Sequence, residues 1–295
     1  MVIMKNLFIA LLALLSNTVT ADEKITSETV ALLCSGQTDN RIRLIDPLSK
    51  TERKTTLWCY PADDGKPFPH RPRDAKRVEL DGVVHILISY KGSVRLIRFQ
   101  DKKVIKEYTS YKSCHSAEIL PDGAIVTASS EDGKLRVHRS EDDFTDLELP
   151  YAHGLVWDKK SNQLWVLGDL LYQYNYIKGK LVLLKKFKLP MTPTGHDLFP
   201  MRDGKKLLVS NNDALFLFDL KAETFEKISD LREIKSASEH QNGSIWASDP
   251  KDMERSGSWQ SDSVIQIKPT ANKRYTNKGA KFYKARWWQK VDFSY

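Results

Sequence analysis

The chain has 295 residues, a formal net charge of +8 and a pI of about 9.2. Its basic residues are scattered among acidic ones with no Lys- or Arg-rich block, which excludes a nucleic-acid arm; what remains is an anionic polymer or surface as partner, or simply a solvated basic exterior. The three cysteines, Cys34, Cys59 and Cys114, allow at most one bridge within the chain, so this is no disulfide-built scaffold.

The first 21 residues read as a signal peptide. Lys5 supplies the positive start, residues 7–15 form an apolar run, and Val19-Thr20-Ala21 is a small-residue cleavage site; Met4 is the more usual start of such a signal. The apolar run is too short to span a bilayer, which takes about 20 residues. The expectation is a soluble, monomeric mature chain, residues 22–295, exported to the periplasm or the cell exterior and without a membrane span.

From residue 30 onward the same pair of segments recurs: a strongly apolar strand, then an alternating one. The pairs are 30–34 with 41–45, 83–89 with 93–97, 124–128 with 134–138, 164–167 with 171–174, 207–210 with 214–218, and 245–248 with 263–267. Their spacing, roughly 37 to 52 residues, matches the period of propeller blades, and no long amphipathic helix interrupts them. The first pair lacks an inner strand on its N-terminal side, whereas residues 283–288 are strand-like and left over. Pairing the two would close the ring and remove an exposed edge. The sequence therefore predicts an all-β, six-bladed β-propeller closed by its C-terminal strand. Two stretches break the period: residues 60–74, with Pro61, Pro67, Pro69 and Pro72, and residues 251–262, with Gly257 and Trp259. Long loops of this kind tend to be functional, and either could rim the mouth of the channel.

Residues at one point of successive blades meet around the axis. His115 and His196 each lie seven residues before an Asp-Gly turn; the same offset from Asn242-Gly243 gives Lys235, and from Asp81-Gly82 it gives Asp74, or Lys76 after a two-residue shift. His153 holds the equivalent place before Lys160-Ser161-Asn162, and Arg286 is the natural counterpart on the closing strand. The ring is thus expected to hold Asp74 or Lys76, His115, His153, His196, Lys235 and Arg286.

Three chemistries would use such a ring. Three neutral imidazoles and an open position suit a divalent catalytic ion, with His115, His153 and His196 as ligands, although two neighbouring cations raise the electrostatic cost. An acidic oligo- or polysaccharide fits the cations better: Lys235 or Arg286 neutralises a carboxylate, one of the three histidines removes the adjacent proton, and Tyr151 protonates the leaving oxygen. Hydrolysis by paired carboxylates, Glu118 and Asp197, ranks lower because Asp197 should face away from His196. Trp259 and Trp287 are the aromatic faces placed to stack on a sugar, whereas Trp157, Trp165 and Trp246 read as packing between blades. Cys114 beside His115 does not make a thiol–imidazole pair, since adjacent strand residues point to opposite faces.

The segments Cys114-His115-Ser116-Ala117-Glu118, Ala152-His153-Gly154-Leu155-Val156-Trp157-Asp158, Gly195-His196-Asp197-Leu198-Phe199-Pro200 and Lys284-Ala285-Arg286-Trp287-Trp288 resemble a family of secreted bacterial six-bladed propeller proteins of uncharacterised function. The resemblance covers nearly the whole mature chain; it implies the fold and the axial ring and carries no activity. A looser likeness to propeller lyases of uronic-acid polymers, which typically have seven blades, is one of architecture and transfers no residues. Two readings from different classes stay open, with a third behind them. One is a lyase-type enzyme acting on an acidic carbohydrate, and the other a non-catalytic propeller binding glycan or protein through its rim. The third is a metal-dependent hydrolase or lactonase.

Overall fold

The computed structural model describes residues 25–51, 54–62, 65–249, 259–270 and 273–294. The expected signal peptide and most of the 251–262 loop lie outside these residues. Six four-stranded antiparallel sheets surround a common axis, and none of the described residues is helical. Blade one holds β1 (Leu32–Gly36), β2 (Ile42–Ile45) and β3 (Thr56–Tyr60). Blade two runs β4 (Pro72–Leu80), β5 (Val83–Tyr90), β6 (Ser93–Arg98) and β7 (Val104–Thr109), and blade three β8 (Cys114–Ile119), β9 (Ile125–Ser129), β10 (Lys134–His138) and β11 (Phe144–Glu148). Blade four runs β12 (Gly154–Asp158), β13 (Gln163–Leu167), β14 (Leu170–Ile177) and β15 (Lys180–Lys188), and blade five β16 (Gly195–Pro200), β17 (Lys206–Asn211), β18 (Leu215–Asp219) and β19 (Thr224–Ser229). Blade six runs β20 (Ala237–Glu239), β21 (Ile245–Ser248), β22 (Ser263–Lys268) and β23 (Arg274–Thr276); β24 (Phe282–Trp287) then leaves it for blade one.

The ring closes as the leftover C-terminal segment suggested. β24 is the inner strand of blade one, antiparallel to β1 with Leu33 opposite Arg286. Apolar residues on both faces of the second strands bury themselves between neighbouring blades, which is why those strands read as near-continuous hydrophobic runs, whereas the third strands alternate. Trp157, fully buried, packs with Val126, Val137 and Tyr176 between blades three and four; Phe218 packs with Trp165 and Phe187 between blades four and five.

The inner strands place polar side chains on the axis, where each needs a partner. Two of those from β24 span the channel. Lys284 Nζ lies 3.3 Å from Asp74 of blade two and 3.0 Å from Asp197 of blade five, and the Arg286 guanidinium meets the same two carboxylates at 3.2 and 2.7 Å. All four side chains are buried, and Ser116 Oγ and the Ala237 N–H donate to the remaining carboxylate lone pairs. One step further along the axis Lys76 pairs with Glu118 and donates to the carbonyls of Ala117 and Leu155. Beyond that pair the C-terminal segment crosses the end of the channel. The Trp288 N–H bonds the Ala31 carbonyl, the Lys159 N–H bonds the Phe293 carbonyl, and Val291 and Phe293 are buried against blade five. Between this segment, Lys76, Glu118 and Arg286 only about 20 Å³ remains, room for roughly one water. The far end of the channel is therefore filled, and the inner strands begin at the other end, here called the mouth.

Burial opposes ionisation of Asp74 and Asp197, but Arg286 and Lys284 outweigh it and hold both carboxyls below the ordinary range. Carboxyls lowered in the fold contribute stability above the unfolded-state pKa of about 4, and that contribution is lost as pH falls below it. Replacing Asp197 by Ala leaves Arg286 and Lys284 short of a buried counter-ion and is expected to cost about 3–5 kcal/mol in urea unfolding. Replacing Glu148, the exposed partner of Lys134, is expected to cost no more than about 1 kcal/mol. Equal urea midpoints for the two variants would remove the quartet from any role in closure.

Candidate functional site

At the mouth the first axial layer is made by residues at the start of each inner strand. In β4, β8 and β16 the pairing with the second strand slips at a β-bulge, and the extra residues are Arg73, His115 and His196. A bulge re-aims the side chains beside it. Hence Asp197 does not face away from His196: His196 belongs to the mouth layer and Asp197 to the charged layer beneath. His153 and Lys235 sit one and two residues before β12 and β20. On the closing strand the slip opposite Ser35 places Tyr283 in the layer.

The histidines converge. The rings of His115 and His153 are 4.4 Å apart and those of His153 and His196 5.3 Å; Tyr283 stands 5.9 Å from His115 on the other side. Tyr151, held in the left-handed region at φ 60°, lays its ring 4.5 Å from His153 and 6.2 Å from His196. Lys235 Nζ is 2.9 Å from His196 Nε2 and 2.8 Å from Glu233, and it lies 4.4 Å over the face of Trp259, which is 59% exposed.

The hydrogen bonds sort the imidazoles into two kinds. His115 Nδ1 contacts the Ser113 carbonyl and Ser130 Oγ, and His153 Nδ1 donates to the Tyr151 carbonyl at 3.1 Å. An Nδ1–H committed to a carbonyl leaves Nε2 as the free lone pair. Neither Nε2 has a protein partner among the described residues, and neither is buried without one. His196 is different: its Nε2 is engaged by Lys235, Asn212 and Glu233, while its Nδ1 is buried without a partner.

Burial, reinforced by Arg73 and Lys284, lowers His115 to about 3, and burial beside His115 and His196 lowers His153 well below the usual histidine range. Burial lowers His196 as well, though Glu233 pulls it back. Lys235 is lowered to about 8 by burial, against the pull of Glu233. Glu233 falls to about 2, chiefly through its hydrogen bond to His196. The layer thus holds neutral imidazoles, one Lys–Glu pair, and Arg73. That arginine lies 5.5 Å from the Tyr283 ring, its Nε is buried without a partner, and it meets no carboxylate among the described residues. The two layers beneath are charge-balanced; this one carries an unmatched cation.

Several expectations need correcting. Arg286 is not in the ring with the histidines but one layer deeper, committed to Asp74 and Asp197. Asp74 and Lys76 also lie deeper, and Arg73 takes the blade-two place. The offset failed there because the β4–β5 hairpin has a longer arm and a tighter two-residue turn than β8–β9, which moves the count by one. Trp287 points into the protein, 5.5 Å from Trp246 and 4.4 Å from His240, and cannot meet a ligand at the mouth. Of the three histidines, His196 has its Nε2 engaged by the Lys235 ammonium at 2.9 Å. Among the described residues no three His, Cys, Asp or Glu side chains are grouped to hold an ion. Cys34 and Cys114 are buried free thiols, and burial pushes Cys114 up to about 12, far from a nucleophile. Sequence reasoning missed Arg73, Tyr283, Glu233 and Asn212. Glu233 was within reach as the residue two before Lys235; the others depend on bulges and on a neighbouring hairpin.

Residues 59–295 match the sequence model of a family of unknown function (DUF6528). No curated protein matches the chain. A protein of unknown function from Bacteroides caccae superposes with a TM-score of 0.61 at 17% identity, over 88% of this chain and 99% of that one. Virginiamycin B lyase from Staphylococcus aureus gives 0.50 at 12% identity, over 70% and 69%. At such identities the likeness is one of fold.

The hydrogen bonds and the low pKa values make one direct prediction. Nitrogen-15 shifts of His115 and His153 are expected to show the Nδ1–H tautomer and no titration between pH 8 and pH 5, about two units above the value for His115. A normal midpoint near 6.5 for His115 would contradict the buried, cation-flanked environment.

Proposed function

The chain belongs to the DUF6528 family, whose function is unknown, and we propose that its axial pocket binds the carboxylate of an acidic carbohydrate and removes the adjacent proton, as a lyase of an exported protein. The observation that carries this reading is the mouth layer: two imidazoles with free Nε2 atoms, flanked by the unmatched Arg73 on one side and Lys235 on the other. Neutral bases between two cations disfavour a metal ion and favour an anion. Arg73 and Lys235 take the neutralising part that Arg286, bound by two carboxylates, has no capacity to fill.

The low pKa values of His115 and His153 belong to a pocket without its anion. A carboxylate bound between the cations offsets their field and raises both imidazoles toward a useful basicity. His153 Nε2 then takes the proton on the carbon bearing the carboxylate. The released electron pair forms a carbon–carbon double bond, the glycosidic C–O bond one carbon further breaks, and the leaving oxygen takes the Tyr151 phenolic proton. Burial pushes the Tyr151 hydroxyl up, so it is protonated at neutral pH and able to donate. Closure of the far end by the C-terminal segment means the substrate enters and leaves through the mouth alone. Trp259 is the exposed aromatic face beside it.

Screening uronate polymers for unsaturated product ends, by ultraviolet absorbance, tests the reading. His153→Ala is expected to lower turnover by about 100-fold or more with binding retained, and Arg73→Ala to raise KM more than it lowers kcat. Binding depends on the charged form of Lys235, so it is expected to weaken as pH rises past about 8. Binding with no product, unchanged in His153→Ala, would assign the pocket to a non-catalytic glycan-binding propeller. No binding to any uronate polymer would end the carbohydrate reading.

A further inference from the structure

On the outer rim of the propeller, away from the axial pocket, the β14–β15 hairpin of blade four has an unusual surface. β15 is the outermost strand of its sheet, so one side of its backbone ladder is unpaired. Ile177, Val182, Leu183 and Leu184 are between 44 and 51% exposed. A bulge opposite Gln173 and Tyr174 slips the pairing so that Leu184 is the extra residue, and the consecutive Leu183 and Leu184 are both exposed. Natural edge strands are blunted with charged side chains, lysine above all, or with proline, and they seldom expose a run of large apolar residues as well. Here residues 170–196 contain Lys178, Lys180, Lys185, Lys186 and Lys188 and no Asp or Glu.

The surroundings leave this charge largely uncancelled. Glu223 of blade five pairs with Lys185, and Lys186 lies 5.6 Å over the Tyr172 ring. Asp122 accepts the Tyr176 hydroxyl, and Arg139, itself paired with Asp143, approaches the Gly179 carbonyl. Lys178, Lys180 and Lys188 meet no carboxylate among the described residues. A second copy is a poor occupant: any antiparallel self-pairing of β15 sets its lysines against lysines or apolar residues, never against an acid. We propose that this hairpin docks the protein on an anionic phospholipid membrane surface, its lysines on the headgroups and Ile177, Val182, Leu183 and Leu184 in the interface beneath them. Apolar side chains ringed by lysine are the combination that binds such surfaces, and neither component alone holds a protein firmly.

Co-sedimentation of the purified protein with phosphatidylglycerol/phosphatidylethanolamine vesicles, against phosphatidylcholine vesicles, tests this. The wild type is expected to bind the anionic vesicles alone and to be released by salt. Leu183→Ser/Leu184→Ser and Lys180→Gln/Lys186→Gln are each expected to lower the vesicle-bound fraction about tenfold or more, with thermal unfolding unchanged because all four side chains are exposed. Equal binding to phosphatidylcholine, or no binding, overturns the proposal. So does full binding by the Leu-to-Ser variant, which would reduce the effect to adsorption of a protein of net charge +8. A concentration-dependent dimer abolished by the same variant would overturn it in favour of a second copy.

Discussion

The structure turns on the buried charge quartet at the closing strand. Six blades can be packed by hydrophobic contact alone, but the ring has a seam, and the seam is held by one strand taken from the far end of the chain. Lys284 and Arg286 reach past their own blade to Asp74 and Asp197, so blades one, two and five are tied together through the axis. Buried ion pairs add little net stability over well-packed apolar residues, because desolvation offsets their attraction. Their value here is geometric. A carboxylate shared by two cations fixes the angular position of each strand, and an unpaired member is costly enough to penalise any other register.

That layer also sets the conditions of the mouth above it. Its four charges cancel, so it supplies no counter-ion to Arg73, while Lys284 still contributes to keeping His115 neutral. Burial of the imidazoles, rather than any single charge, is the first cause of their low basicity. The fold thus builds a polar end wall that is satisfied and a polar surface one layer up that is not.

Much of the fold was legible in the sequence because propeller strands obey two simple periods: alternation within strands and repetition between blades. The closing strand was legible by elimination, since an unpaired inner strand and an unused segment had to meet. The angular position of His115, His153 and His196 followed from the same repetition, whereas depth along the axis did not. A bulge adds one residue and leaves no mark in the hydrophobic pattern, so Arg73 and Tyr283 were displaced from the positions that regular counting assigns to Asp74 and Arg286. The same effect misdirected Trp287: beside an axial arginine it read as a ligand platform, yet alternation turns it toward Trp246 and Tyr275. Contacts between hairpins, such as Asn212 with His196, leave no trace in a single sequence.

The bulges explain why polar side chains outside the closing network gather at this end and not the other. Where a ladder is regular, neighbouring side chains alternate between the axis and the packed interior, and a blade offers the channel one residue per two. At the slip in β4, β8, β16 and β24 a blade presents two consecutive residues, one at each depth. The lower residue joins the charge network that closes the ring, and the upper one is free of that duty. At the far end no such slip occurs among the described residues, and the C-terminal segment fills the opening. Ring closure and the mouth layer are therefore divided between adjacent residues of the same strand: Asp74 and Arg73 in blade two, Asp197 and His196 in blade five, Lys284 and Tyr283 in blade one. A change at the lower member acts on the closure of the whole ring. A change at the upper member acts on the pocket alone, which is the separation a binding site needs if it is to vary without unfolding its scaffold.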